Sequence, residues 1–222
     1  MIYAILVASG KGSRMGEEIP KQFLLLDDKP ILFYSMQLFL NYHPEVQIVL
    51  VVPQDCKYAE EFIEKYVHGN TRISIVYGGE TRFHSVQNGL FSISANEEDL
   101  VMIHDGVRPF VTNNVLHQCI TLALEKGNAI PAMDVKDSLR KIVHNENEHV
   151  NRQDFKAIQT PQVFSLKAIR TAYQQKYTKA FTDDASVFES AGHKIYLTEG
   201  NEENIKITTP IDLEFARYLL RC

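Results

Sequence analysis

Cysteine is scarce and offers no pairing. The three thiols, Cys56, Cys119 and Cys222, stand far apart and odd in number, which argues against a disulfide framework or a zinc site. They read as reduced packing residues or surface thiols. Positive charge is not in excess either: 23 Lys and Arg against 28 Asp and Glu give a net charge of −5, so nothing global draws the chain to nucleic acid or an anionic membrane. Neither is expected as a partner, and any anion site must be a local cluster. Low-complexity tracts and internal repeats are absent, and a composition 45% hydrophobic and 23% charged is that of an ordinary globular chain rather than a disordered one. The opening "MIYAILVASG" lacks the basic lead-in and small-residue cleavage site of a signal peptide, and its apolar run is too short to span a bilayer. The cytoplasm is the expected location.

What is present is an alternation. The runs Ile2–Ala8, Val46–Val52, Ile73–Gly78, Leu100–Gly106 and Asn128–Val135 are β-branched without a polar face, as strands buried on both sides are. Between them, 31–40, 59–66, 83–93 and 114–125 have helical spacing. Strand–helix alternation predicts a doubly wound α/β fold with a largely parallel sheet, whose ligands bind at the carboxyl ends of the strands. The pattern breaks after Val135. The stretch from Lys136 to Phe164 alternates polar and apolar residues around "HNENEH", which reads as a hairpin or arm projecting from a single domain, with the arm at about 136–158. An isolated hairpin is marginal in water, so a partner subunit is the expected support. Beyond it come a helix near 165–177, a helix begun by Thr182 with Asp183 and Asp184, a strand in "KIYLTEG" and a closing helix after "TTPIDLE".

The first strand runs into "SGKGSRMGEEIPKQF", with Gly10, Gly12 and Gly16 among Lys11, Arg14 and Lys21. Glycines there let backbone N–H groups turn toward an anion, and the basic residues suit a triphosphate. A P-loop is excluded because no Gly-Lys-Ser/Thr ending follows Gly10, and the dinucleotide fingerprint fails because Met15 stands where its third glycine belongs. A glycine-rich surface turn with solvated basic side chains is the plainer alternative.

Four more motifs, "GGETRFHSV" (78–86), "HDGVRPF" (104–110), "TPQVF" (160–164) with "TDDAS" (182–186), and "NIKIT" (204–208), stand at strand ends or helix starts. With "KGSRMG" and "PKQF" they resemble, in the same order and over nearly the whole chain, the 2-C-methyl-D-erythritol 4-phosphate cytidylyltransferases. Ribitol-5-phosphate cytidylyltransferases share the opening loop and the "HD-x-VRP" motif, so the choice between them rests on "DVKDSLRK" and "TDDASVFE", which look like the methylerythritol enzymes. Ser9, Glu80 and Ser138 depart from the commoner residues but keep their chemical character.

The resemblance implies attack by a polyol phosphate on the α-phosphorus of CTP with release of pyrophosphate. Both reactants are anions and the nucleophile is already ionised, so the catalysts to look for are fixed cations and magnesium rather than a nucleophilic triad. Arg14, Lys21 and Lys206 are the expected cations at the reacting phosphorus. Ala8, Ser9, Gly10, Gly79, Glu80, Ser85, Asp105 and Thr160 are expected to bind CTP, and Asp105 also to touch the metal. Asp105, Arg108, Ser138, Arg152, Thr182 and Lys206 are expected around the acceptor, with Ser138 and Arg152 reaching into the neighbour's site of a homodimer. Residue by residue, plainer readings stand beside these: Lys206 as a solvated strand-end lysine, Arg152 as an exposed hairpin arginine, Asp105 and Arg108 as a structural pair. His104, Arg82 and His84 read as packing or capping residues. A nucleotide-binding protein without turnover is the alternative from another class.

Overall fold

The computed structural model describes residues 1–10, 19–94, 96 and 98–221. Arg14, Lys11, Gly12, Gly16 and Cys222 lie outside the described residues. Strand β1 (Ile2–Val7) is followed by a two-stranded hairpin, β2 (Leu25–Leu26) and β3 (Lys29–Pro30), then α1 (Ile31–Tyr42), β4 (Gln47–Val52), α2 (Lys57–Tyr66), β5 (Ile73–Tyr77), α3 (Arg82–Ser92), β6 (Leu100–Asp105), α4 (Asn113–Lys126) and β7 (Asn128–Asp134). The expected strand–helix alternation is present, within a residue or two at most ends. After it come β8 (Arg140–Val143), β9 (Glu146–His149), β10 (Lys156–Ile158), β11 (Gln162–Ser165), α5 (Leu166–Ala172), α6 (Asp184–Ser190), β12 (Leu197–Glu199) and α7 (Pro210–Arg221).

β1 pairs in parallel with β4 on one side and β6 on the other, and β5 extends the sheet beyond β4. Because β4 and β6 lie on opposite sides of β1, the chain reverses its direction of winding there, and a crevice opens above the ends of β1 and β6. Successive residues of each strand serve opposite faces. Ala4, Leu6, Ile48, Leu50 and Met102 pack with Met36, Phe39, Phe62 and Leu116 from α1, α2 and α4, whereas Ile5, Val49, Val51, Val101 and Ile103 pack with Phe83, Leu90, Ile169 and Phe188 from α3, α5 and α6. Full burial of both faces explains the absence of a polar alternation in these strands, and each such side chain contributes roughly 1.5–3 kcal/mol. A third cluster, Leu26, Ile31, Val107, Ile207 and Ala216, seats α7 and the segment before it beside the ends of the sheet.

The stretch after Val135 corrects the sequence-based boundaries. Only β8 and β9 form the two-stranded hairpin, paired from Arg140–His149 to Val143–Glu146. β10 and β11 return to the main sheet, and β11 lies antiparallel between β6 and β7. Its apolar residues Val163 and Phe164 are buried, which is why a run that continues the alternation of the arm belongs to the core. The helix expected over 165–177 ends at Ala172, with Tyr173 as its C-cap and fully buried. At α6 the cap is Asp183, not Thr182: Ser186 N–H donates to Asp183 Oδ1 at 2.9 Å, and Asp183 N–H to Ser186 Oγ at 3.1 Å, a reciprocal box.

Candidate active site

The β1 and β6 registers set Val7 beside Asp105. Ala8 N–H donates to Val51 O, and Gly106 N–H to Val7 O, so the two strands release their loops at the same level. A cavity of about 530 Å³ opens there, bounded by Ala8, Ser9 and Gly10 from the first loop, Gly79, Glu80 and Ser85 from the third crossover, and Lys21, Arg82, Asp105 and Lys206. Segments separated by nearly two hundred positions in the chain meet in one crevice.

One wall is made of small residues. Ser9 Oγ donates to Ser85 Oγ at 2.8 Å, and Gly79 N–H donates to the same Ser85 oxygen at 3.1 Å. A Cβ on Gly78 would stand 2.3 Å from Ser9 Cβ, and one on Gly79 2.5 Å from His84 Cβ, so the wall has this shape only with glycine at both positions. Thr81 caps α3 by accepting from His84 N–H, which bears out the capping environment expected for His84. On the opposite side Gln22, buried beside Lys21, donates to Ala8 O at 2.6 Å and Gly10 O at 3.0 Å. Gln22 thus fixes the departure of the first loop. Lys21 Nζ donates to Ile207 O at 3.0 Å, which brings it alongside the segment carrying Lys206.

The floor is ionic. Asp105 Oδ2 lies 2.9 Å from Lys206 Nζ and 3.4 Å from Arg108 Nε, and Oδ1 lies 3.4 Å from Arg82 Nε. Burial alone would push this carboxyl up, but Arg82, Lys206 and Arg108 outweigh it and hold it far below the usual carboxylate range. Arg82 also makes two parallel bonds to Asp184, at 2.9 and 2.7 Å, and Tyr173 OH donates to Asp184 Oδ1 at 2.6 Å. Burial and the neighbouring Asp184 push the Tyr173 hydroxyl well above its ordinary value, so it remains a donor.

Behind the floor, Thr160 is buried. Its Oγ1 accepts from Asp105 N–H at 3.1 Å and stands 3.0 Å from His104 Nδ1, while His104 Nε2 is 2.9 Å from Arg108 O. A backbone carbonyl can only accept, so Nε2 carries the proton and Nδ1 takes the Thr160 hydroxyl. Burial lowers His104 to about 4. The ring is a neutral spacer, in line with the packing role expected from the sequence, and not a proton shuttle.

Not every expected residue meets the others. Asp105 and Lys206 line the cavity and Arg108 abuts it, donating through Nη1 to Asn204 O at 2.7 Å. Thr160 supports Asp105 from beneath and is not among the residues facing the cavity. Ser138, Arg152 and Thr182 are exposed and do not line it, and Arg152 is engaged with Lys136 O at the base of the arm. Four contributors are not marked as site residues by the sequence: Arg82, Asp184, Gln22 and Asn204. All four lie inside quoted motifs, but nothing in local spacing tells a buried clamp from a solvated helix start.

The sequence model of the IspD family, 2-C-methyl-D-erythritol 4-phosphate cytidylyltransferase, matches residues 2–222. The chain belongs to this family. It is 47% identical over 219 residues to the 2-C-methyl-D-erythritol 4-phosphate cytidylyltransferase of Phocaeicola vulgatus, covering 98% of this chain and 99% of that one, and 47% identical to that of Bacteroides fragilis, covering 98% of each. Among solved structures it is similar to 4-diphosphocytidyl-2C-methyl-D-erythritol synthase from Anaerococcus prevotii, with TM-score 0.83 and 28% identity over 100% of this chain and 96% of that one. The 2-C-methyl-D-erythritol 4-phosphate cytidylyltransferase from Thermus thermophilus matches with TM-score 0.78 and 26% identity, covering 99% of this chain and 98% of that one. Family membership therefore agrees with the motif resemblance, and a doubly wound cytidylyltransferase fold is what the strands and helices build.

Magnesium was expected on chemical grounds. Among the described residues no group of three or more His, Cys, Asp or Glu gathers as a metal cage, and Asp105 is the buried acid at the cavity floor. One buried carboxylate at the cavity floor fits an ion held mainly by a ligand's own phosphate oxygens rather than by a protein cage.

Proposed function

We propose that the chain transfers the cytidylyl group of CTP to 2-C-methyl-D-erythritol 4-phosphate, releasing pyrophosphate and forming 4-diphosphocytidyl-2-C-methyl-D-erythritol for isoprenoid precursor synthesis. Family membership over residues 2–222 supports the reaction. The structural observation that carries it is the convergence of Lys21, Lys206 and Asp105 with the Ser9–Gly79–Ser85 wall on one cavity. Hydroxyls, backbone amides and carbonyls at that wall suit the mixed donor–acceptor edge of cytosine. Lys21 and Lys206 supply fixed positive charge where an in-line displacement gathers negative charge, and Arg14, outside the described residues, is assigned to the same phosphates on the motif resemblance alone. Magnesium, bound through the triphosphate and Asp105, would neutralise phosphate charge. The attacking phosphate monoester needs no deprotonation, consistent with a neutral, buried His104.

Lys206 is paired with Asp105, and an incoming phosphate would compete for the same ammonium. In this reading Lys206 exchanges a carboxylate for a phosphate, and Asp105 Oδ2, freed of that ammonium but still held by its other partners, can meet the ribose or the metal. Arg108 stays with Asp105 and Asn204 at the edge facing the acceptor.

The acceptor site is completed by a second chain. Ser138 and Arg152 are exposed and lie outside their own cavity, and the arm and the strand after it carry Ile142, Phe155 and Ile158 at 69%, 43% and 37% exposure, an apolar set suited to a homodimer contact. Thr182 is placed with the acceptor on the same reading. The reactants are water-soluble, and among the described residues no helix is long and apolar enough to cross a membrane; the reading puts the enzyme in the cytoplasm. Initial rates of magnesium-dependent pyrophosphate release, measured side by side with methylerythritol phosphate and ribitol 5-phosphate, test it. Preference for ribitol phosphate would overturn the acceptor, and no release with either would favour a binding protein.

A further inference from the structure

We infer that Asp184 is a positioning residue for the transfer reaction: its carboxylate, braced by the Tyr173 hydroxyl, fixes the Arg82 guanidinium, and Arg82 in turn fixes the Asp105 carboxylate at the cavity floor. The inference rests on the cytidylyl-transfer reading and adds a buried support to those Lys206, Arg108 and Thr160 already give Asp105.

The carboxylate of Asp184 is fully buried. A buried acid is costly to desolvate, and an apolar replacement of its ion pair is often neutral or stabilising, so burial alone does not explain it. Nor does helix capping, because Asp183 and Ser186 already close the reciprocal box at the start of α6. What Asp184 does is occupy one whole edge of a guanidinium: Nη1 and Nη2 of Arg82 go to its two oxygens, and Tyr173 holds Oδ1 from the other side. Arg82 then has its Nε left to meet Asp105 Oδ1. The planar fork makes the orientation of Arg82 a consequence of where Asp184 stands.

This divides the oxygens of Asp105. Oδ1 belongs to Arg82, and Oδ2 is shared by Lys206 and Arg108. Lys206 is the more exposed of these cations, with 38% of its side chain accessible against 28% for Arg82 and 13% for Arg108. When Lys206 turns to a phosphate, the clamp on Oδ1 and the Thr160 hydroxyl on the backbone N–H keep Asp105 in place. The same clamp ties α6, which follows the acceptor-side Thr182, to the start of α3, which follows the Gly78–Glu80 wall. Misplacing a reacting or binding group by an ångström costs on the order of a hundredfold in rate.

The test uses the full-length protein with CTP, magnesium and methylerythritol phosphate, with rates expressed per folded chain. Asp184→Asn keeps the volume and faces Arg82 with an amide. It is expected to lower kcat by about ten- to a hundredfold while the KM for CTP changes less than threefold, and combining it with Arg82→Gln should cost no more than Arg82→Gln alone. Tyr173→Phe, which removes only the brace, should lower kcat several-fold with the same KM pattern, and it carries the test should Asp184→Asn fail to fold. A fall confined to melting temperature, or double-mutant losses that multiply, would overturn the inference. Turnover by the native enzyme with no change in either variant would break the inference and leave the reaction standing. No turnover by the native enzyme would remove both.

Discussion

The cavity floor and the β8–β9 arm are built on opposite plans. At the floor, Lys21, Arg82, Asp105, Asp184 and Lys206 come from five separate places in the chain, and their polar contacts join residues brought together only by the sheet. In the arm the contacts are local: Arg140 Nε to Asn147 Oδ1 at 2.7 Å, Arg152 to Lys136 O, and the short ladder between β8 and β9. The carboxylates of the floor are buried and over-determined; residues 151–158 are all exposed. The difference teaches that the cavity floor is held together by contacts within one chain, whereas the arm presents exposed residues that stand away from the cavity of their own chain, and the proposed homodimer would give them a partner.

The largest expected effect falls on the floor. Lys21→Ala removes an ammonium aimed at the cavity and held to Ile207 O. Loss of a preorganised group that meets transition-state charge costs on the order of 10²–10³ in kcat, with a much smaller change in CTP dissociation measured by calorimetry. Equal losses in binding and turnover would mean that Lys21 acts on the ground state, and the floor would then be a binding surface rather than a reaction centre.

Next comes the small-residue wall. Gly78→Ala places a methyl 2.3 Å from Ser9 Cβ and 2.5 Å from Ser9 Oγ, and neither the first strand nor α3 can retreat without breaking the Ser9–Ser85 bond. Overpacking of this kind costs roughly 1–3 kcal/mol. The expected outcome is a KM for CTP raised about tenfold and a lower melting temperature, checked by steady-state kinetics and thermal unfolding. An unchanged KM would detach the wall from base recognition.

The contrast also explains what is readable from sequence. The strands are legible because burial on both faces leaves a β-branched run without alternation, Asp105 because it ends one of those strands, and Lys21 and Lys206 because they stand in motifs that resemble the family's. Arg82 and Asp184 are not, since an arginine and an aspartate at helix starts look like solvated capping residues until the sheet places α3 and α6 against each other. Asn204 is hidden in the motif that draws attention to Lys206: its side chain donates to Thr160 O at 2.8 Å. β11 reads as part of the arm because it continues the same alternation, and only pairing with β6 and β7 shows that Val163 and Phe164 face a core. Local pattern reports exposure along one segment; it does not report which distant segment covers it.

Arg152→Ala moves the comparison to the arm. Its guanidinium is exposed and held to Lys136 O at the base of the arm, away from the cavity of its own chain, so its removal should leave CTP kinetics unchanged. If it serves the neighbouring site, the acceptor KM rises about tenfold, and mixing it with Lys21→Ala chains restores some activity through hybrid dimers carrying one intact site. Unchanged acceptor kinetics and no complementation would return Arg152 to the surface.

The smallest effect tests whether the arm belongs to the fold at all. Ile142 is 69% exposed, and serine in its place should alter the unfolding free energy of the isolated chain by no more than about 0.5 kcal/mol. In a dimer the same side chain loses its water, and its removal should raise the dissociation constant about tenfold, read by sedimentation over a range of concentrations. The two readouts separate the alternatives because one depends on protein concentration and the other does not. A loss of stability in the monomer with unchanged association would mean that the hairpin packs on its own domain. The apolar set Ile142, Phe155 and Ile158 would then need no second chain to account for it.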